Sequence, residues 1–124
     1  MATSRLNNYL RTHRKHSGLS QSEVSFLVRL KNKAELSRYE RSLRVPSLRV
    51  ALACQAVYGV SVADLFAGLS DSVSKDTRGQ MKRLQARLQP KINPKSTGTR
   101  IMQKFQWISH QLLAMPNFKL VQQL

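Results

Sequence analysis

At 124 residues the chain has room for one domain of ordinary size and an appendage. Its 21 Lys and Arg against 6 Asp and Glu give a formal charge of +15 and a pI near 11.2, which points to an acidic polymer or surface and on charge alone leaves nucleic acid, an acidic membrane face and simple solubility open. The single Cys54 excludes an intramolecular disulfide and a multi-cysteine zinc site, six carboxylates leave little material for acid–base catalysis, and no run approaches the ~18–20 apolar residues of a membrane span.

In chain order, the N-terminal MATSRLNNYL lacks the continuous apolar core of a secretory signal. Thr3 or Ser4 can cap a first helix running to about His16, with Leu6 and Leu10 on one face and Ser17-Gly18 ending it. Ser20 caps a second helix, and Glu23 three residues on completes a capping box. Val24, Leu27 and Val28 form its apolar stripe. Arg29 to Lys31 make a turn, and Asn32 with Glu35 is a second capping-box pair opening a third helix, in which Leu36 and Tyr39 point inward. Ser47 caps a fourth helix, Leu48 to Tyr58, and Gly59 fits the left-handed position after it. Ser61 caps a short fifth helix through Phe66. The expectation is an all-α domain of five short helices over residues 1–69.

Beyond Gly68 the pattern changes. A polar stretch, Ser70 to Asp76, leads into an amphipathic helix over 77–89, where Met81, Leu84 and Leu88 share a face flanked by Lys82, Arg83 and Arg87. Residues 90–98, PKINPKSTG, read as a flexible basic linker. A last amphipathic helix spans 99–113, with Ile101, Phe105, Ile108 and Leu112 on one face and Pro116 as its stop. Residues 70–124 are thus a basic, partly helical extension. Its first helix fits added DNA contacts, dimerisation or a solvated spacer, and the last helix has an exposed apolar face unless something covers it, which favours self-association or a partner protein. Trp107 with Phe105 fits either a stacking platform or an apolar helix face, the latter being the commoner use.

The runs GLSQSEVSFLVRL, SRYER, R-x-P-S-L and YGVSVADLF together resemble the Cro and phage-repressor (XRE-type) helix-turn-helix family of transcriptional regulators over residues 6–69. The resemblance implies a five-helix lambda-repressor-like fold whose third helix, Lys33 to Arg41, reads double-stranded DNA. It implies base contacts from Lys33, Ala34, Ser37 and Arg38, and phosphate contacts from Gln21, Asn32, Arg41 and Arg44. Arg14 and Glu40 match a pair that in this family forms a buried salt bridge between the first helix and the end of the third. Three positions depart from the family pattern: the turn after the second helix is one residue longer with Arg29 where glycine is common, His13 replaces an aliphatic residue, and Ser42 replaces a glycine.

The scattered His13, His16 and His110 lack partners at metal-ligand spacing. No catalytic residue, no metal and no cofactor is expected, and so no enzyme. The resemblance implies a cytoplasmic, nucleoid-associated protein of bacterial or phage origin, bound to double-stranded DNA as a homodimer and not to membrane. The alternative is an antitoxin-like interaction module whose tail binds a partner protein and whose helix-turn-helix serves autoregulation.

Overall fold

Polar caps set the helix starts. The structure is a computed structural model that describes residues 6–93, 95 and 99–115; the expected caps Thr3 and Ser4, the stop Pro116 and linker positions 94 and 96–98 lie outside them. Among the described residues every regular element is helical, and no helix is long and apolar enough to cross a membrane. The chain divides into two compact units, Met1–Ser70 and Asp71–Leu124.

In the first unit, Ser20 Oγ accepts from the Glu23 amide at 3.1 Å and the Glu23 carboxylate accepts from the Ser20 amide at 2.9 Å, opening α2 (Gln21–Leu27) with a complete capping box. These two bonds hold the Glu23 carboxyl below its ordinary pKa. Asn32 Oδ1 accepts from the Glu35 amide at 3.1 Å to open α3 (Lys33–Glu40), but the Glu35 side chain does not return the bond, so this second box is only half formed. Ser47 caps α4 (Leu48–Tyr58) and Ser61 caps α5 (Val62–Leu65) through their hydroxyls. Each such cap stabilises by ~1 kcal/mol.

The first helix starts later than the sequence suggests. α1 spans Leu10–Ser17, and no side chain caps it at Tyr9. Residues 6–9 are held by other partners: Gly68 and Leu69 donate their amides to the Leu6 and Asn7 carbonyls, and the Tyr9 amide donates to Leu65 O at 2.7 Å. Leu6 is therefore exposed while Leu10 is buried, so the two do not share a covered face. The core gathers Leu10, Val24, Val28, Leu36, Ala51, Cys54, Leu65 and Phe66. Burying each large aliphatic side chain contributes ~1.5–3 kcal/mol. On α2 the buried stripe is Val24, Ser25 and Val28, whereas Leu27 is half exposed. The small Ser25 side chain is buried beside Val24 in sequence.

A long helix, α6 (Ala67–Leu88), begins in the first unit, where Ala67 is buried, and its residues from Asp71 belong to the second. It replaces the expected polar stretch and shorter helix over 77–89. Serines weaken a helix by only tenths of a kcal/mol, the segment 70–76 holds no proline, and the packed start at Phe66–Ala67 supplies the nucleus that a helix otherwise lacks. A 3-10 turn, Gln89–Lys91, follows and takes the first residues of the expected linker. Thr99 Oγ1 accepts from the Met102 amide to cap α7 (Arg100–Ala114). Within this unit α7 runs antiparallel to α6: Arg78 donates to Leu112 O at 3.0 Å, and Gln85 donates to Ser109 Oγ at 2.9 Å. Leu112 is buried, and Ile101, Phe105 and Ile108 are half buried. The apolar face of the last helix is thus partly covered within its own unit.

Candidate nucleic-acid interface

α3 has two unlike faces. Leu36 is fully buried and the Glu40 side chain is 2 % exposed, while Lys33, Ala34, Arg38 and Arg41 are exposed with Ser37 half exposed between them. At 100° per residue, positions 33, 34, 37, 38 and 41 fall on one stripe, so the four residues expected to meet bases share an outward face.

The inward face is fixed by a charged network. Arg14 Nε donates to Glu40 Oε2 at 2.6 Å and Nη2 donates to Oε1 at 3.2 Å, which is the two-pronged geometry of strong guanidinium–carboxylate pairs. Arg14 Nη1 also donates to the Leu19 carbonyl at 3.3 Å, and Gln21 Nε2 donates to Glu40 Oε1 at 3.1 Å. One carboxylate at the end of α3 therefore ties α1, the start of α2 and α3 together. The hydrogen bond with Glu40 is the main reason the Arg14 guanidinium is raised above its ordinary pKa.

The ends of α2 and α3 set the aim of that face. Among the described residues, Arg29 and Ser42 are the non-glycine residues with positive φ, at 61° and 59°. At each, two backbone bonds close a Schellman turn. Leu30 N donates to Ser25 O and Arg29 N to Phe26 O; Leu43 N donates to Arg38 O and Ser42 N to Tyr39 O. These are the two positions where the sequence lacks a glycine that the resembling family often has. The extra residue in the turn is taken up between this closure and the cap: Leu30 packs on the core, Lys31 is exposed and Asn32 opens α3.

An open cleft of about 540 Å³ lies between α1, the start of α2 and α3. Arg11 lines it from α1, Ser20, Gln21 and Ser22 from α2, and Lys33, Ser37 and Arg41 from α3. Because Glu40 at its wall is neutralised by Arg14, the cleft carries the positive charge of Arg11, Lys33 and Arg41. Its positive charge suits an anion. Of the expected phosphate contacts, Gln21 and Arg41 are in this cleft, whereas Asn32 and Arg44 are exposed outside it and the Asn32 carbonyl oxygen is already used as the α3 cap.

Two residues escape a reading of the sequence. Arg11 lies three positions before Arg14 on α1, and that i, i+3 spacing was the available signal. Asn8 donates to Tyr39 O at 2.9 Å and to Ser42 Oγ at 3.0 Å, pinning the end of α3 to the N-terminal segment; a contact across 31 positions has no local signature. His13 is half buried with its ring 6.1 Å from that of Tyr58. Cys54 is buried, and burial pushes its thiol up to about 11. Among the described residues no group of three His, Cys, Asp or Glu side chains could hold a metal ion.

A protein-family model described as a helix-turn-helix domain matches residues 5–67, just over half of the chain. No curated protein and no solved structure matches.

Proposed function

We propose, because the chain belongs to the helix-turn-helix domain family, that it is a DNA-binding transcriptional regulator of the Cro/repressor type. Its first unit binds a specific duplex sequence and performs no catalysis. The observation that carries this reading is the pairing of the outward stripe of α3 with the adjoining basic cleft. A helix of this width fits the major groove of B-form DNA, and its N-terminal residues then meet base edges.

In this reading Arg38 bonds bidentately to guanine, Lys33 reaches guanine or phosphate, Ser37 bonds to either strand's base edges and Ala34 touches a thymine methyl. Arg11, Arg41 and Gln21 hold one phosphate in the cleft, with Asn32 and Arg44 on neighbouring phosphates. An amide nitrogen carries two hydrogens: Gln21 gives one to Glu40 and keeps the other for phosphate. The same side chain therefore aligns α3 and seats it on the backbone. The protein acts in the cytoplasm as a homodimer on two half-sites ~34–36 Å apart.

Selecting bound sequences from random duplex DNA at stated salt tests the reading. A defined site should emerge, and Arg38→Ala should relax the preference at one position in each half-site. Arg11→Ala should leave that preference intact while lowering the slope of log affinity against log salt by about one. An unchanged preference with Arg38→Ala would sink the assigned orientation of α3.

A further inference from the structure

We propose that the second unit carries a binding site for single-stranded DNA, built around Trp107 on α7. It goes beyond the duplex-binding reading of the first unit and rests on that reading only in choosing DNA over RNA.

The indole of Trp107 is 67 % exposed, although α7 has a covered apolar face. The covered positions are Ile101, Phe105, Ile108 and Leu112, and Trp107 is rotated away from them. It therefore does not serve the core of its own unit. It lines an open groove of about 550 Å³ with Leu84 of α6 and Gln103, Lys104, Gln106, Ile108 and His110 of α7, Leu84 and Ile108 giving the groove its apolar part. This combination has the parts that single-stranded sites use: an aromatic plane for a base, amides for its edge, and a cation for the adjoining phosphate. Lys104 and Arg100 lie about one and two helical turns before Trp107, and a turn rises 5.4 Å, so cations continue along the path that a strand leaving the groove would follow.

Charge decides between a nucleic acid and a protein occupant. After Asp76 the chain has no acidic residue through Leu124, while Arg78, Lys82, Arg83, Arg87, Lys91, Lys95, Arg100, Lys104 and Lys119 are basic. A second copy of this unit would bring like charges together, whereas a polyanion neutralises them. A duplex keeps its bases stacked and cannot offer one to an exposed indole; a single strand can.

The chain has one tryptophan, so selectively excited tryptophan emission reports on this site alone. Titrating full-length protein with a short oligo(dT) should quench it, with affinity falling as salt rises. Trp107→Ala should weaken oligo(dT) binding about fivefold to a hundredfold, read by anisotropy of labelled DNA, and leave duplex binding unchanged. Trp107→Phe should restore most of the loss. Arg38→Ala should do the reverse, altering duplex preference and sparing oligo(dT), which separates a failure here from a failure of the duplex reading. Equal oligo(dT) affinity for wild type and Trp107→Ala overturns the site. Loss of self-association by Trp107→Ala without loss of oligo(dT) binding overturns it in favour of a protein interface, and tighter binding to oligo(U) than to oligo(dT) overturns DNA as the ligand.

Discussion

Replacing Arg14 by Met should nearly unfold the first unit. The guanidinium is 13 % exposed and the carboxylate it pairs with is 2 % exposed, so Arg14→Met leaves the buried Glu40 carboxylate without its ion pair, keeping the hydrogen bond from the Gln21 amide. Breaking one side of a buried pair costs ~3–5 kcal/mol. A domain of about 70 residues has only roughly 3–10 kcal/mol in total. The substitution also frees the Leu19 carbonyl, which accepts from Arg14 Nη1. Removing both charges is a different matter, because apolar replacements of similar volume are often neutral. Arg14→Met with Glu40→Met should therefore lie within ~2 kcal/mol of the wild type, and the single changes should be strongly non-additive. Urea unfolding of the isolated changes and of the pair, followed by circular dichroism at 10 °C, measures this directly. A low salt dependence is also expected, since screening acts weakly on a pair this far from solvent. If Arg14→Met costs less than ~1 kcal/mol, or if the double variant costs the sum of the singles, the buried-charge argument is wrong.

Two glycines of α6 should respond to alanine with opposite signs. A Cβ on Gly68 would meet Leu6 O at 2.5 Å and Asn7 Cα at 2.8 Å, both backbone, so Gly68→Ala should destabilise by ~1–3 kcal/mol and speed amide exchange at positions 68 and 69. A Cβ on Gly79 meets nothing within 4 Å, and Gly79→Ala should stabilise its helix by up to ~1 kcal/mol. Arg29→Gly removes the left-handed strain at φ 61°; after the entropy of a freer unfolded chain, a net gain of about 0.5 kcal/mol should raise Tm by ~2–4 °C. Arg29→Ala, which loses the charge but keeps the strain, should give no such rise. Stability should also fall in alkali. The Cys54 thiol, raised to about 11 by burial, stays protonated in the fold while the unfolded chain ionises near pH 9. The fold therefore binds the extra proton, and its stability declines as pH rises from about 9 to 11 by up to ~1.4 kcal/mol per unit. Tyr58, also raised by burial, adds to the decline. Cys54→Ala should flatten the thiol's share; an equally steep decline without the thiol would remove Cys54 from the account.

The sequence by itself determined what depends on neighbours within one helical turn. Ser20, Asn32, Ser47, Ser61 and Thr99 open helices because a side-chain oxygen reaches an amide three residues on. Gly18 and Gly59 close helices because they take a positive φ without a Cβ. Arg29 and Ser42 close two more helices at positive φ, which their residue types did not announce. The outward stripe of α3 followed from helical periodicity once Leu36 was taken as its buried anchor. Net charge needed no structure at all.

Tertiary structure decided everything that required a partner far along the chain. The first helix begins at Leu10 rather than near Ser4 because the carbonyls of residues 6 and 7 are taken by amides some sixty positions away. Leu27 is half exposed and Ser25 buried, a choice that depends on the helices packed around α2 and that periodicity does not make. Arg11 joins Lys33 and Arg41 only because α1, α2 and α3 fold around one cleft. Trp107 turns outward because Ile101, Phe105, Ile108 and Leu112 occupy the side that meets α6. An amphipathic pattern says that a helix has two faces; only the packing of the other helices says which residue each face meets.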